Sequence, residues 1–243
     1  MEKGHNGDDD FEFCPVLAEV ARSRRIVGNN GKVFEQLAAL SSRNNLLTLR
    51  RLMLTLNPER TLEIGLGFGG STLMFASTHR DLRHAPCGQH TSIDPFQTTV
   101  WDSSAILLLE RAGLEEYVDV RLSSSALELP RMLQQSERFE LAYIDGSHLF
   151  EDVFVDAYFV IRLLVEGGVV AFDDSANPHI AKVIAFIRRS LAPGIEELDL
   201  GEHRPSGSSG ITYRAARGSE KFNSPHLGKR ERERNWNVPF RSF

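Results

Sequence analysis

Thr61-Leu-Glu-Ile-Gly-Leu-Gly-Phe-Gly-Gly-Ser-Thr72 is the stretch that decides the fold. A short apolar run of strand type, Leu62 to Ile64, breaks into four glycines within six residues, and a helical pattern follows from Ser71. Gly65, Gly67 and Gly70 match the G-x-G-x-x-G spacing. A chain that leaves a strand, turns tightly and starts a helix needs residues without a Cβ, and it brings free backbone N–H groups close to a ligand. The spacing alone does not separate a dinucleotide site from an S-adenosylmethionine (SAM) site or a structural turn.

Working outward, apolar runs of strand and helix type alternate along the chain. Strand-like runs occupy Thr61 to Ile64, Thr91 to Ile93, Val118 to Leu122, Leu141 to Ile144 and Val169 to Phe172, with late ones at Glu196 to Leu200 and Ile211 to Arg214. Between them the pattern predicts helices over Gly70 to Thr78, Asp102 to Ala112, Ala126 to Gln134, Leu149 to Leu164 and Ile180 to Leu191. Asp102 or Ser103 is the expected N-cap of the second helix, and Gly113 its C′ residue. Gly167-Gly168 is read as closing the fourth. Repeated βα units imply a parallel sheet with right-handed crossovers and helices on both faces.

The segment from Pro15 to about Leu56 reads as helical, with Val16, Leu17, Val20 and Ala21 on one apolar face and Leu46, Leu47, Leu49, Leu52, Met53 and Leu56 on another. Asn57-Pro58 ends it. A helical preface argues mildly against an NAD-binding domain, which often begins at its first strand. Gly201 to Gly210 reads as a loop. From Gly218 six basic and three acidic residues accompany Trp236, Phe240 and Phe243. This tail is either disordered or an arm whose aromatic residues dock on a neighbouring subunit or over the site.

Composition narrows the function. The chain has 243 residues, 41% of them hydrophobic and 25% charged, with a net charge of −5. That is the profile of an ordinary globular protein, with no general attraction for nucleic acid or an anionic membrane. No run reaches the ~18 apolar residues of a membrane span. The first residues, with Asp8, Asp9 and Asp10, lack the pattern of a secretion signal. Cys14 and Cys87 have no ligand-spaced partner, so a reducing cytoplasm is expected.

In open α/β sheets, ligands bind beyond the carboxyl ends of the strands. Here those ends carry Glu63, Asp94, Asp145, Asp173 and Asp174. Asp94 lies 24 residues beyond Gly70, a spacing suited to ribose hydroxyls of either NAD or SAM. Three acids after the last two central strands are more than a hydride-transfer site needs. Converging carboxylates repel unless a cation holds them, and hard oxygen donors suit Mg²⁺, Mn²⁺ or Ca²⁺. Separately solvated cap and loop acids are the alternative.

Glu63-Ile-Gly-Leu-Gly-Phe-Gly69 resembles motif I of class I SAM-dependent methyltransferases. Tyr143-Ile-Asp-Gly-Ser-His148, with Gly167-Gly-Val-Val-Ala-Phe-Asp-Asp174 downstream, resembles small-molecule O-methyltransferases that use a divalent metal, both catechol-type and sugar-modifying, over about residues 45 to 190. The resemblance implies that Glu63, Gly65, Gly67, Gly69 and Ser71 serve the methionine part of SAM. Asp94 would hold the ribose, and Ser124 or Ser125 would face the adenine. Asp145 would border the cofactor and, with Asp173 and Asp174, bind the metal, Mg²⁺ being the first candidate. Catechol-type enzymes carry Asn where this chain has Asp174, and a lysine base where it has His148. Sugar-modifying ones carry an acidic base where it has Ser147. His148 is the candidate base, since imidazole titrates nearest neutral pH; a residue packed at a helix start is the alternative.

The architecture expected is α/β. It is a doubly wound, mostly parallel, seven-stranded Rossmann-like sheet with helices on both faces and an antiparallel last strand. Residues 1–59 form a helical extension or lid, 60–216 the SAM-binding domain and 217–243 the tail. The function expected is metal-assisted O-methylation of a small-molecule hydroxyl on a sugar, phenol or natural product, with homo-oligomerisation left open. A metal-independent methyltransferase, a non-catalytic SAM-binding protein and an NAD(P)-linked reductase are the competing readings.

Overall fold

In the computed structural model, residues 9–191, 195–198 and 211–215 are described. The predicted loop from Gly201 to Gly210 and the tail 217–243 lie outside the described residues. Helix α1 (Pro15–Ser23) leads through the short strands β1 (Ile26–Val27) and β2 (Val33–Phe34) to α2 (Arg43–Leu56). Then follow β3 (Thr61–Ile64), α3 (Gly70–Asp81), β4 (His90–Ile93), α4 (Ser104–Ala112), β5 (Val118–Arg121) and α5 (Ser125–Gln134). The remainder is β6 (Phe139–Ile144), α6 (Phe150–Leu163), β7 (Leu164–Phe172), α7 (Pro178–Leu191), β8 (Ile195–Glu197) and β9 (Ile211–Ala215).

The sheet order is β5-β4-β3-β6-β7-β9-β8. Strands β3 to β7 pair in parallel, and β9 runs antiparallel to both β7 and β8. The order reverses direction between β3 and β6, so their carboxyl ends flank the crevice where such sheets bind ligands.

Side-chain alternation divides the core into two layers. Leu62, Ile64, Ala142, Ile144, Val170 and Phe172 face one way and pack against α5, α6 and α7. Leu141, Tyr143, Val169 and Ala171 face the other, against α3, α4 and the N-terminal segment. Phe11, Leu17, Val20, Ile26, Leu37, Leu46, Leu49 and Met53 are buried in this second layer beside Leu73, Met74 and Phe75 of α3. The N-terminal segment therefore shares the core of the sheet.

Two expectations need correction and a third, the cap of α4, is narrowed to Ser103. The segment from Pro15 to Leu56 is not continuously helical. It stops at Arg24 in the left-handed region (φ 52) and forms an antiparallel hairpin, Ile26 opposite Phe34 and Val27 opposite Val33, before α2. The turn Gly28-Asn-Asn-Gly31 between two β-branched runs is a hairpin signal that outweighs the surrounding helical periodicity. Asp102 does not cap α4. Its carboxylate accepts from the Asn30 amide N–H (2.9 Å) and side chain (2.5 Å), locking that hairpin turn to the β4–α4 loop. Ser103 occupies the N-cap position without a side-chain cap bond. Finally, Gly167-Gly168 do not close α6, which passes into β7 at Leu164 with no loop. The glycine pair lies in an irregularity of β7 where the register against β6 shifts.

Candidate active site

The glycine turn after β3 is built on crowding. Gly65 has φ 96, and a Cβ there would run into the backbone carbonyl of Asp145 at the end of neighbouring β6. At Gly69 (φ 81) a Cβ would stand 2.8 Å from Ala105 Cβ. The glycines thus seat the turn between β6 and α4, which brings the N-terminus of α3 over the crevice. Ser71 is buried in the first turn of that helix. Unpaired N–H groups in a first turn favour an anionic group.

Asp94 braces the same turn. Its Oδ2 accepts from the Gly67 amide (2.9 Å) and Gln97 Nε2 (3.1 Å), and its Oδ1 from the Phe96 amide (2.7 Å). Glu63 is fully buried on the α3 face of β3. Its Oε2 accepts from Thr72 Oγ1, Ser92 Oγ (2.9 Å) and His90 Nε2 (3.2 Å), while Oε1 is buried without a partner among the described residues. Ser124 stands at the N-cap of α5 without a side-chain cap bond, and Ser125 is the first residue of that helix.

Strand parity sorts the three acids of β6 and β7. Tyr143, Asp145, Ala171 and Asp173 occupy alternate positions on the side facing the N-terminal segment. Tyr143 Oη lies 2.8 Å from Asp173 Oδ2 and 3.2 Å from Asp145 Oδ2. From that segment, Ser41 Oγ donates to Asp145 Oδ2 (3.0 Å) and Asn45 Nδ2 to Asp173 Oδ1 (2.5 Å). Burial, then the charge of Asp173, pushes the Asp145 carboxyl well above the usual carboxylate range. Burial also raises Asp173, against opposing hydrogen bonds from Tyr143 and the Asp174 amide. Burial and then the two carboxylates raise the Tyr143 phenol, which stays a proton donor.

Asp174, one residue further and at φ 44, leaves this cluster. Its Oδ2 lies 3.2 Å from His148 Nε2, both side chains being about half exposed (45% and 49%). The predicted triplet of metal ligands is therefore split. Asp145 and Asp173 converge, Asp174 partners the candidate base, and among the described residues no three acid, His or Cys side chains meet as a metal-binding group. The converging pair still has the chemistry of a hard-cation site: two buried oxygen donors whose mutual repulsion a cation would relieve. His148, Asp145 and Asp173 line one crevice with Ser147, Phe172 and Ile180.

Sequence reading passed over Ser41, Asn45, Gln97 and Tyr143. Tyr143 had a usable signal, because a residue two positions before Asp145 in a strand shares its face. Ser41 and Asn45 had none; Asn45 and Asp173 are 128 residues apart.

A methyltransferase-domain family model matches residues 62–175, from β3 to just beyond the acids of β7. No curated protein sequence matches the chain. Several solved structures share the fold. An O-methyltransferase from Bacillus cereus, solved with S-adenosylhomocysteine (SAH), is 18% identical with a TM-score of 0.63, over 83% of this chain and 90% of that one. The O-methyltransferase TomG from Streptomyces achromogenes, involved in tomaymycin synthesis and solved with SAM, is 18% identical with a TM-score of 0.59, over 84% and 89%. CalS11, a TDP-rhamnose 3′-O-methyltransferase of calicheamicin biosynthesis, is 18% identical with a TM-score of 0.58, over 86% and 96%. The glycine turn, the acid at the end of β4 and the matched region agree: residues 62–175 are similar to a methyltransferase domain.

Proposed function

We propose that the protein transfers the methyl group of SAM to a hydroxyl of a small molecule. The observation that carries this reading is the Asp145–Tyr143–Asp173 cluster beside the glycine turn, with the Asp174–His148 pair on the same crevice. When bound, SAM supplies an electrophilic sulfonium methyl, and a divalent cation held by Asp145 and Asp173 would act as a Lewis acid toward the acceptor hydroxyl.

The residues of the chain do the rest. Gly65, Gly67 and Gly69 let the turn lie flat beneath the methionine part of the cofactor, and Ser71 with the first turn of α3 takes its carboxylate. Asp94 has one acceptor site left, on Oδ1, for a ribose hydroxyl, Ser124 and Ser125 border the adenine, and Glu63 supports the turn through Thr72. Asp174 accepts the Nε2 proton of His148, which fixes the tautomer and leaves Nδ1 free to take the hydroxyl proton. Holding oxygen and methyl at near-attack distance supplies roughly 7 kcal/mol or more of the barrier reduction. The segment from 9 to 59, packed on the sheet layer that carries Tyr143, supplies the acceptor side.

The test is SAH binding by calorimetry together with methyl transfer from labelled SAM to a panel of hydroxyl acceptors. Binding of SAH and label in a methyl ether are expected. Transfer only to nitrogen or carbon acceptors overturns the O-methyl reading. Addition of Mg²⁺ or a chelator then tests the cation, with Asp145→Asn expected to abolish any metal response.

A further inference from the structure

The outer face of α6 and α7 carries an aromatic stripe that is open to solvent. Phe150 stacks on Phe154 one turn later (ring centroids 6.0 Å), and Phe154 meets Phe186 of α7 edge-on (5.2 Å). Tyr158, a further turn along α6, is 41% exposed, and Phe186 is 40% exposed. Both helices start at the carboxyl ends of neighbouring parallel strands, β6 and β7, so they run side by side in the same direction. Large rings held against each other on a helix surface gain further from any contact that takes them out of water.

Charge flanks the stripe with opposite signs on the two helices. On α6, Glu151 precedes Phe154 by one turn, and on α7, Lys182 precedes Phe186 by one turn. At a rise of about 1.5 Å per residue, both stand about 5 Å from the level of the Phe154–Phe186 contact, toward the crevice end. Both are exposed, and neither has an ion-pair partner among the described residues. Glu151 lies in the first turn of α6, where the helix dipole suits an acid. Lys182 lies in the first half of α7, where the dipole of its own helix gives a cation no support. An acid brought opposite Lys182 would supply what its own helix does not.

We propose that two copies of the chain associate through this face, as a dimer whose two-fold axis runs along the groove between α6 and α7. Such an axis sets α6 of one copy on α7 of the other. Phe154 then packs on Phe186 of the second copy and Glu151 faces Lys182 of the second copy, and each contact occurs twice. A two-fold axis perpendicular to the helices would instead lay α6 on α6 in the opposite direction and leave Glu151 and Lys182 apart. The charges therefore select the first arrangement: a face of one sign repels its own copy, whereas opposite signs on the two helices make this one self-complementary. Size sets the strength. Each helix has 14 residues. The face is thus about 21 Å long and about 20 Å wide, roughly 400 Å² per copy against the ~800 Å² of a standard interface. The dimer is a reversible one, with a dissociation constant on the order of 10–100 μM. It does not depend on the methyl-transfer reading.

The experiment is sedimentation of the full chain at concentrations from about 2 to about 500 μM, with the unfolding temperature measured for every variant. Wild type is expected to pass from monomer to dimer across that range. Phe186→Ser, at an exposed position, should weaken association about tenfold or more and leave the unfolding temperature unchanged. Glu151→Lys and Lys182→Glu should each weaken it about tenfold, because each sets like charges opposite each other twice. An equimolar mixture of these two variants should dimerise as wild type does, since each supplies the charge that the other lacks. The doubly reversed chain, Glu151→Lys/Lys182→Glu, should recover association to within about threefold of wild type. A chain that stays monomeric at the highest concentration overturns the proposal. So does a dimer that Phe186→Ser leaves intact, or a mixture no better than its components. Assembly that grows past two copies also overturns it, because a closed two-fold contact does not allow it.

Discussion

Asn45 Nδ2 lies 2.5 Å from Asp173 Oδ1, joining the first turn of α2 to the end of β7 across 128 residues. The amide satisfies a carboxyl whose protonation burial already favours. Asn45→Asp replaces a donor with a third carboxylate beside Asp145 and Asp173. All three then bind protons more readily folded than unfolded, so their contribution is present at low pH and lost as pH rises through the folded values. The substitution should cost about 1–3 kcal/mol at pH 8, the scale of an unsatisfied buried polar group. The loss should be clearly smaller at pH 5. Urea unfolding at the two pH values measures it, and an equal loss at both would show that the amide does not serve the acid pair.

The split between Asp173 and Asp174 sets a second outcome. If Asp174 orients His148, Asp174→Asn and His148→Ala should each lower turnover by about 10²–10³-fold, within the usual worth of a positioned base. SAH affinity should stay within about twofold. The double variant should be little worse than either single one, because the two residues act as one unit. Full additivity in a double-mutant cycle would assign Asp174 a separate role.

Much of this arrangement was legible in the sequence because it is local. The turn after Ile64 announces itself by glycine spacing, and the structure puts three of those glycines at positive φ. The central strands read correctly because each is a short apolar run bounded by turn residues. The acids were found for the same reason, as the residues that end such runs. What failed was which way they point: Asp173 and Asp174 follow the end of β7, and the left-handed turn at Asp174 (φ 44) carries its side chain away from Asp173. The hairpin from Ile26 to Phe34 was missed because helical periodicity on either side was carried across a turn signal. Ser41 and Asn45 answer to partners more than 100 residues away, which no local pattern encodes.

The glycines of the chain should differ sharply in tolerance. Gly65→Ala forces a Cβ against the Asp145 carbonyl at a positive φ, so neither backbone has room to yield. A loss of about 3 kcal/mol or more and no measurable SAH binding are expected. Gly113, at φ 62 after α4, has nothing within 4 Å of a Cβ. Gly113→Ala should cost only about 1–2 kcal/mol, the left-handed penalty alone, and leave SAH binding intact. Similar losses at both positions would mean that crowding at the β3 and β6 ends is not what requires Gly65.

His79 makes the stability of the domain depend on pH. It is fully buried in α3 and bonded through Thr61 Oγ1 (2.8 Å) to the same chain of side chains as His90 and Glu63. Burial first, then His90 and His84, lowers its pKa from 6.5 to about 3. The unfolded chain therefore takes up this proton near pH 6.5 and the folded one does not. Stability is present in full above that value and falls as pH drops toward 3, by at most about 5 kcal/mol. Asp156 opposes it: burial raises its pKa from 3.8 to about 6, so its contribution is present below 3.8 and lost as pH rises through 6. Asp156→Asn should accordingly stabilise the protein at pH 7.5 by about 1–3 kcal/mol and steepen the remaining acid dependence. His79→Gln in that background should flatten the profile between pH 4 and 6.5. Urea midpoints across the range read both effects, and an acid slope that survives His79→Gln would place the responsible proton elsewhere.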